Sequence, residues 1–246
     1  MEPLTIAQIS DIHIPKNGDK PFDVDVRENF KKQIEGLKDE TFDILVVSGD
    51  LCHKEGNASI YKWVKKQLDS LSKPYYIIPG NHDNPANLAK IFDFEDELED
   101  EELFYIKEYK GIKLIFLDSG KGWMKSRQMD WLKNILPEKA EEVYIFMHHP
   151  PIISEVPHMD NQFAFENMDD FQEIIFNTQA PVEIFTGHYH IEKVLRKKNM
   201  TVYITPSPFF NLDDRSEDFK IEHHRIGWRK IVLYPDQVLT SIRYIN

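Results

Sequence analysis

Ile44-Leu45-Val46-Val47-Ser48-Gly49-Asp50 is a short apolar run, largely β-branched, that stops at a glycine and an acid. Bounded by polar residues, it reads as a buried strand. The same reading applies on both sides of it. Leu4–Ile9 leads into Ser10-Asp11-Ile12-His13, and Tyr75–Ile78 leads through Pro79 into Gly80-Asn81-His82-Asp83. Farther along, Val143–Met147 leads into His148-His149-Pro150-Pro151, and Val182–Phe185 into Thr186-Gly187-His188-Tyr189-His190. Between the first three runs, residues 22–38 and 58–71 carry helical patterns, with Phe30, Ile34 and Leu37 on one face of the first. Strand–helix–strand alternation predicts βαβ units and parallel strands. Such sheets gather ligands beyond the carboxyl ends of their strands. Strand ends that each close on Asp, Asn or His can therefore converge on one place.

The rest of the chain is richer in strands. Residues 103–109 and 112–117 flank Lys110-Gly111 and read as a hairpin. Residues 126–136 and 167–177 read as helices, and residues 84–92 as a helix that Asp83 could cap. Residues 194–196, 201–205, 229–233 and 238–242 read as strands, the last two around a Pro235-Asp236 turn. Residues 152–165 and 206–218 read as long loops at the rim of the strand ends; Phe163 and Phe165 of the first either stack on a ligand or cover a core edge. Asp93–Glu102 holds eight acids in ten residues and reads as a solvated helix end or loop. With no internal repeat and no Gly/Ser/Pro linker, the 246 residues are expected to form one domain spanning 1–246.

Composition narrows the function. Lys and Arg number 30 against 42 Asp and Glu, a net charge of −12, which argues against extended binding to nucleic acid, since phosphate contacts come from basic side chains. A small anionic substrate is still compatible, because bound cations reverse the local sign. No apolar run approaches the roughly 20 residues that span a bilayer, so no membrane span is expected. Met1-Glu2-Pro3-Leu4 lacks a basic region followed by an apolar one, so no signal peptide is expected, and a cytoplasmic protein is the simplest expectation. The single cysteine, Cys52, allows no intrachain disulfide and reads as a small buried residue.

Asp, Asn and His offer hard oxygen and borderline nitrogen donors, a set suited to a pair of divalent metals. Asp11 and His13 share an i, i+2 spacing, as do His188 and His190. An aspartate such as Asp50, with two oxygens, can bridge two cations roughly 3.5–4 Å apart. No thiolate joins the set, which speaks against a closed structural zinc site.

In this order the motifs Asp-x-His, Gly-Asp, Gly-Asn-His-Asp, His-His-Pro-Pro and Gly-His-x-His resemble the calcineurin-like metallophosphoesterase superfamily. Gly56 and Tyr61 after Asp50-Leu51, the Gln128-Met129-Asp130-Trp131-Leu132 segment and the Gly227-Trp228-Arg229 segment resemble its class III cyclic-nucleotide phosphodiesterase branch. The resemblance covers nearly the whole chain. It implies an α/β (α+β) fold, a four-layer αββα sandwich of two mixed β-sheets flanked by helices. It also implies two divalent ions, drawn from Mn, Fe, Zn or Co. One would take Asp11, His13, Asp50 and His190, the other Asp50, Asn81, His148 and His188. His149 would then sit behind the ligands or at the rim, Tyr189 would pack, and His53 would not be a ligand. Purple acid phosphatases carry a ligand tyrosine where His53 stands, so an Fe(III)–tyrosinate site is not expected. Relatives are often dimers, so a homodimer is compatible, although no feature of the sequence requires one.

The chemistry expected of such a centre is hydrolysis of a small phosphoester by a metal-bridging hydroxide. His82, next to a ligand but not one itself, is the expected general acid. Asp83 would orient the His82 ring, cap the following helix, or do both. A monoester carries nearly two charges and suits arginine forks. Pro79 stands where the family's protein phosphatases carry Arg, and no motif has an adjacent Arg, so a phosphodiester of cyclic-nucleotide or glycerophosphodiester type is favoured. Arg127, Arg215 and Arg225 could still fold back from loops. A phosphomonoesterase or small nuclease with the same site is the alternative; a non-catalytic metal-binding regulator is a remote one, because no ligand position is vacant.

Overall fold

The computed structural model describes residues 2–137 and 142–245. In chain order, β1 (Leu4–Ile9), α1 (Val26–Lys38), β2 (Ile44–Ser48), α2 (Ala58–Asp69), β3 (Tyr75–Ile78) and α3 (Pro85–Phe92) form the alternating first third. Then come β4 (Leu98–Glu99), β5 (Glu102–Leu103), β6 (Tyr105–Tyr109), β7 (Ile112–Phe116), α4 (Ser126–Ile135), β8 (Val143–Phe146), α5 (Pro157–Gln162), α6 (Met168–Asn177) and β9 (Val182–Thr186). The chain closes with β10 (Lys193–Lys197), β11 (Met200–Ile204), β12 (Asn211–Leu212), β13 (Ile221–His223), β14 (Ile226–Leu233) and β15 (Val238–Ile245).

Two mixed sheets carry the architecture. The first has the order β15-β14-β1-β2-β3, with β1, β2 and β3 parallel and β14 antiparallel to β1. The second runs β10-β11-β9-β8-β7-β6, with a parallel centre and antiparallel edges at β6 and β10. Their facing surfaces are joined by an aromatic ladder. Tyr105, Phe116, Phe146, Phe185 and Tyr203 lie on neighbouring strands of the second sheet with successive ring centroids 4.7, 5.3, 5.2 and 4.9 Å apart. The Tyr105 hydroxyl crosses to donate to the Ile77 carbonyl of the first sheet at 2.7 Å. Polar bonds also cross: Thr205 Oγ1 donates to Gln8 Oε1 at 2.8 Å, and Arg229 Nη2 to the Ile204 carbonyl at 2.8 Å. The sandwich expected from the resemblance is the fold observed.

Local chemistry sets the element ends. The first helix starts at Val26, not residue 22, because Asp25 caps it by accepting from the Glu28 amide at 3.1 Å. Pro21–Asp23 instead form a separate turn in which Phe22 adopts φ 53°. Asn57 caps α2 through the Ser59 and Ile60 amides, and Asn84, not Asp83, caps α3 through the Asn87 amide at 2.9 Å. Residues 152–165 are not all loop, since Pro157 opens the short helix α5. No helix among the described residues is long and apolar enough to cross a membrane.

Candidate active site

The loops after β1 and β2 run side by side. The Asp11 amide donates to the Gly49 carbonyl at 3.0 Å, that of His13 to the Asp50 carbonyl at 2.9 Å, and that of Ile14 to the Leu51 carbonyl at 2.8 Å. Turning the chain so sharply forces unusual backbone. Asp11, His13, Asp50, His188 and His190 all adopt positive φ, between 42° and 66°. Left-handed backbone is uncommon away from glycine, although Asn, Asp and His tolerate it best, and it concentrates at functional sites. Gly187 shows how tight the junction is: a Cβ there would overlap Ser10 Oγ and Asp11 Oδ2.

All seven residues expected as ligands meet at these strand ends. Asp11 Oδ1 lies 3.4 Å from His190 Nε2 and 4.0 Å from His13 Nε2. Asp50 Oδ2 lies 3.5 Å from His13 Nε2 and 3.4 Å from His148 Nε2. Asn81 Oδ1 is 3.2 Å from His148 Nε2. Three overlapping groups, Asp11–His13–His190, His13–Asp50–His82 and Asp50–His148–His188, each bring their donor atoms within 4.8 Å of one another. Metal–ligand bonds of about 2.0–2.2 Å put donors on one ion at such separations.

Ring orientation fits the same purpose. His148 Nδ1 meets the Ser48 carbonyl at 2.8 Å, His190 Nδ1 the Phe210 carbonyl at 3.0 Å, and His188 Nε2 the Phe163 carbonyl at 3.0 Å. A carbonyl has no proton to give, so each of those nitrogens is the donor, and the opposite nitrogen is left to face the centre. Metal-binding histidines are held this way. Burial holds the His13 and His188 rings neutral, with pKa lowered to about 3 and about 4, which suits lone-pair donation. Burial opposes charge on His148 too, but the Asp50 and Asp11 carboxylates outweigh it and raise the pKa to about 9. The residues present therefore fit a metal centre.

His82 lies on the cavity wall. Its amide donates to Asp50 Oδ1 at 2.8 Å, and its Nδ1 meets the Lys54 carbonyl at 2.7 Å. Asp83 does not orient it. The Asp83 carboxylate instead accepts from the amides of Gly80, Leu51 and Cys52 and from the Tyr61 hydroxyl, at 3.0, 3.1, 3.3 and 3.0 Å. Burial, with Asp50 adding to it, pushes its pKa up to about 6 despite those donors. Its place is thus in tying the loop after β3 to the loop after β2.

The remaining candidates fall around this centre. His149 is buried behind it, with its ring centroid 4.0 Å from that of His188 and its amide on Ser119 Oγ at 3.0 Å. His53 lines the cavity outside the three donor groups. Tyr189 does more than pack, since its hydroxyl donates to Asp160 at 2.9 Å. Cys52 is buried and accepts from the Asn57 amide. The three arginines do not fold back. Arg127 pairs with Glu99 at 2.8 Å, Arg225 covers the Tyr244 ring at 3.4 Å, and Arg215 projects outward beside Asp214. The cavity over the centre measures about 250 Å³, and among the described residues no Lys or Arg lines it. Sequence reasoning missed Phe22, His158 and Phe219 on its wall; their segments carry no spacing that points inward.

Comparison with known proteins places the chain in a family. The profile described as Calcineurin-like phosphoesterase matches residues 4–192. The chain belongs to the calcineurin-like phosphoesterase family, a class of metal-dependent phosphoric ester hydrolases. A Fibrobacter succinogenes protein named as a probable cyclic nucleotide phosphodiesterase is 32% identical, over 99% of this chain and 94% of its own. An Arcobacter nitrofigilis protein named as a probable glycerophosphodiester phosphodiesterase is 30% identical, over 89% of this chain and 84% of its own. Among solved structures, a dimetal phosphatase from Danio rerio superposes with a TM-score of 0.75 at 14% identity, covering 100% of this chain and 98% of that one. A purple acid phosphatase from yellow lupin gives 0.66 at 15% identity, covering 99% of this chain and 52% of that one. At those identities the structural likeness speaks for the fold alone.

Proposed function

We propose that this chain, acting as one domain, hydrolyses a small phosphodiester at a dinuclear centre held by Asp11, His13, Asp50, Asn81, His148, His188 and His190. The observation that carries the reading is Asp50 Oδ2, which lies 3.5 Å from His13 Nε2 of one proposed ligand set and 3.4 Å from His148 Nε2 of the other. Divalent ions of the Mn, Fe, Zn or Co kind, when bound there, supply a water of lowered pKa and positive charge for the non-bridging phosphate oxygens.

The chain's own residues complete the reaction. The new bond joins the water oxygen to phosphorus, and the bond that breaks joins phosphorus to the ester oxygen. His82 delivers a proton to that departing oxygen. Its Nδ1–H donates to the Lys54 carbonyl, so the ring acts as the acid in its doubly protonated form: Nε2 gives up its proton and the neutral ring keeps the one on Nδ1. The lining without Lys or Arg suits the single charge of a diester better than the double charge of a monoester. The names of the two relatives, one a cyclic nucleotide and one a glycerophosphodiester phosphodiesterase, support the same class.

The test is a metal-dependent assay with an aryl phosphodiester, an aryl phosphomonoester and a cyclic nucleotide. Diesters should turn over faster than the monoester, and His82→Ala should lower kcat by about 10²–10⁴-fold. No turnover with Mn, Fe, Co or Zn, or a preference for the monoester, would overturn the reading.

A further inference from the structure

Three phenylalanines from separate segments stand exposed around the one cavity above the metal-ligand cluster. Phe22 follows β1, Phe163 follows α5, and Phe219 precedes β13; they are 54%, 47% and 45% exposed. Their rings are linked into a wall. Phe22 lies 5.4 Å from Phe219 and 5.4 Å from Phe210, and His158 lies 5.6 Å from Phe163 and 5.9 Å from Phe219. Contiguous exposed apolar surface beside a cavity is a feature of ligand-binding grooves. Phe22 is also held at φ 53°, an outlier conformation for a bulky side chain. The wall is fixed relative to the centre, because the Phe163 carbonyl is the acceptor for His188 Nε2 at 3.0 Å.

We propose that Phe163, Phe219 and Phe22, with His158 between the first two, form a stacking wall that selects phosphodiesters carrying a flat aromatic group, such as a nucleobase, over those carrying glycerol. A flat ring can lie on a phenylalanine face, whereas a polyol must give up water for apolar surface that offers no hydrogen bond. This deepens the phosphodiesterase reading and rests on it. It assigns specificity to residues apart from the metal ligands and His82.

The test compares wild type with Phe163→Ala, Phe219→Ala and the conservative Phe163→Leu and Phe163→Tyr variants, all manganese-loaded. The substrates are cyclic adenosine monophosphate and glycerophosphoethanolamine. Removing one stacked ring should raise KM for the cyclic nucleotide about tenfold, the usual scale of a base–aromatic contact, with a much smaller change in kcat. The ratio of kcat/KM between the two substrates should fall by the same factor. Phe163→Tyr should restore the ratio, and Phe163→Leu, apolar but without a π face, should not. Calorimetric titration of adenosine monophosphate and glycerol phosphate gives a second readout, independent of turnover. The nucleotide should weaken in the Ala variants and the glycerol ester should not. Equal losses for both ligands, or no loss for the nucleotide, would overturn the wall. If wild type cleaves neither diester, the phosphodiesterase reading fails on its own, and the two titrations still decide whether the wall discriminates.

Discussion

Asp50 directs its two carboxylate oxygens to different tasks: Oδ1 accepts the His82 amide at 2.8 Å, and Oδ2 faces His13 and His148 at 3.5 and 3.4 Å. Removing it should therefore empty both cation positions together. Metal analysis of Asp50→Ala should find well under one ion per chain, against about two in wild type; about two ions retained would contradict the shared role. The candidate ligands were legible in the sequence because each follows a buried strand directly, where chain direction alone sets its place. Asp83 was less legible. Its donors come from Gly80, Leu51, Cys52 and Tyr61, and the sequence does not say that the loop after β2 folds over it. Phe22 and Phe219 were invisible for a related reason: an aromatic in an irregular segment carries no periodicity that gives its direction.

The strands of the second sheet are the clearest case at the level of elements. Val143–Phe146 and Val182–Thr186 are buried at every position, so their sequences show no alternation that would tell one face from the other. The existence of these strands could be read, but not the aromatic ladder that crosses them. Phe146 sits mid-ladder, fully buried between Phe116 and Phe185. Phe146→Ala should lower unfolding free energy by about 3–5 kcal/mol in urea titrations of chelated protein. Phe219→Ala, at the exposed rim, should change it by about 0.5 kcal/mol or less. Equal losses in the two variants would contradict this division between core and rim. Helix α5 escaped detection because its six residues are too few to establish a 3.6-residue period.

At the scale of the whole molecule, the most acidic stretch, residues 93–102, supplies no side chain to the lining of the cavity over the centre. Most of the acidic run is solvated as expected, and four of its acids also pair with cations from neighbouring elements: Glu97 with Lys107, Glu99 with Arg127, Asp100 with Lys125 and Glu101 with Lys121. The Arg127–Glu99 pair leaves that arginine away from the cavity, which sequence alone could not decide. Behind this edge, Asp118 joins β5 to the loop after β7, accepting from the Leu103 and Gly120 amides at 2.8 Å each. Burial raises its pKa to about 7, with Glu102 adding to the shift. The folded state thus holds this proton more tightly than the unfolded chain does. The stabilisation it gives is complete below about pH 4 and is lost as pH rises through 7. Relative to wild type, Asp118→Asn should be most destabilised near the acid end and least so above pH 7, read from unfolding curves of chelated protein. A deficit independent of pH would contradict the shift. The central claim, that loops distant in sequence enclose two neighbouring cations, is tested most directly by anomalous scattering from crystals of the manganese-loaded protein. The account predicts two peaks about 3.5–4 Å apart with Asp50 between them; a single peak, or two peaks on separate parts of the surface, would contradict it.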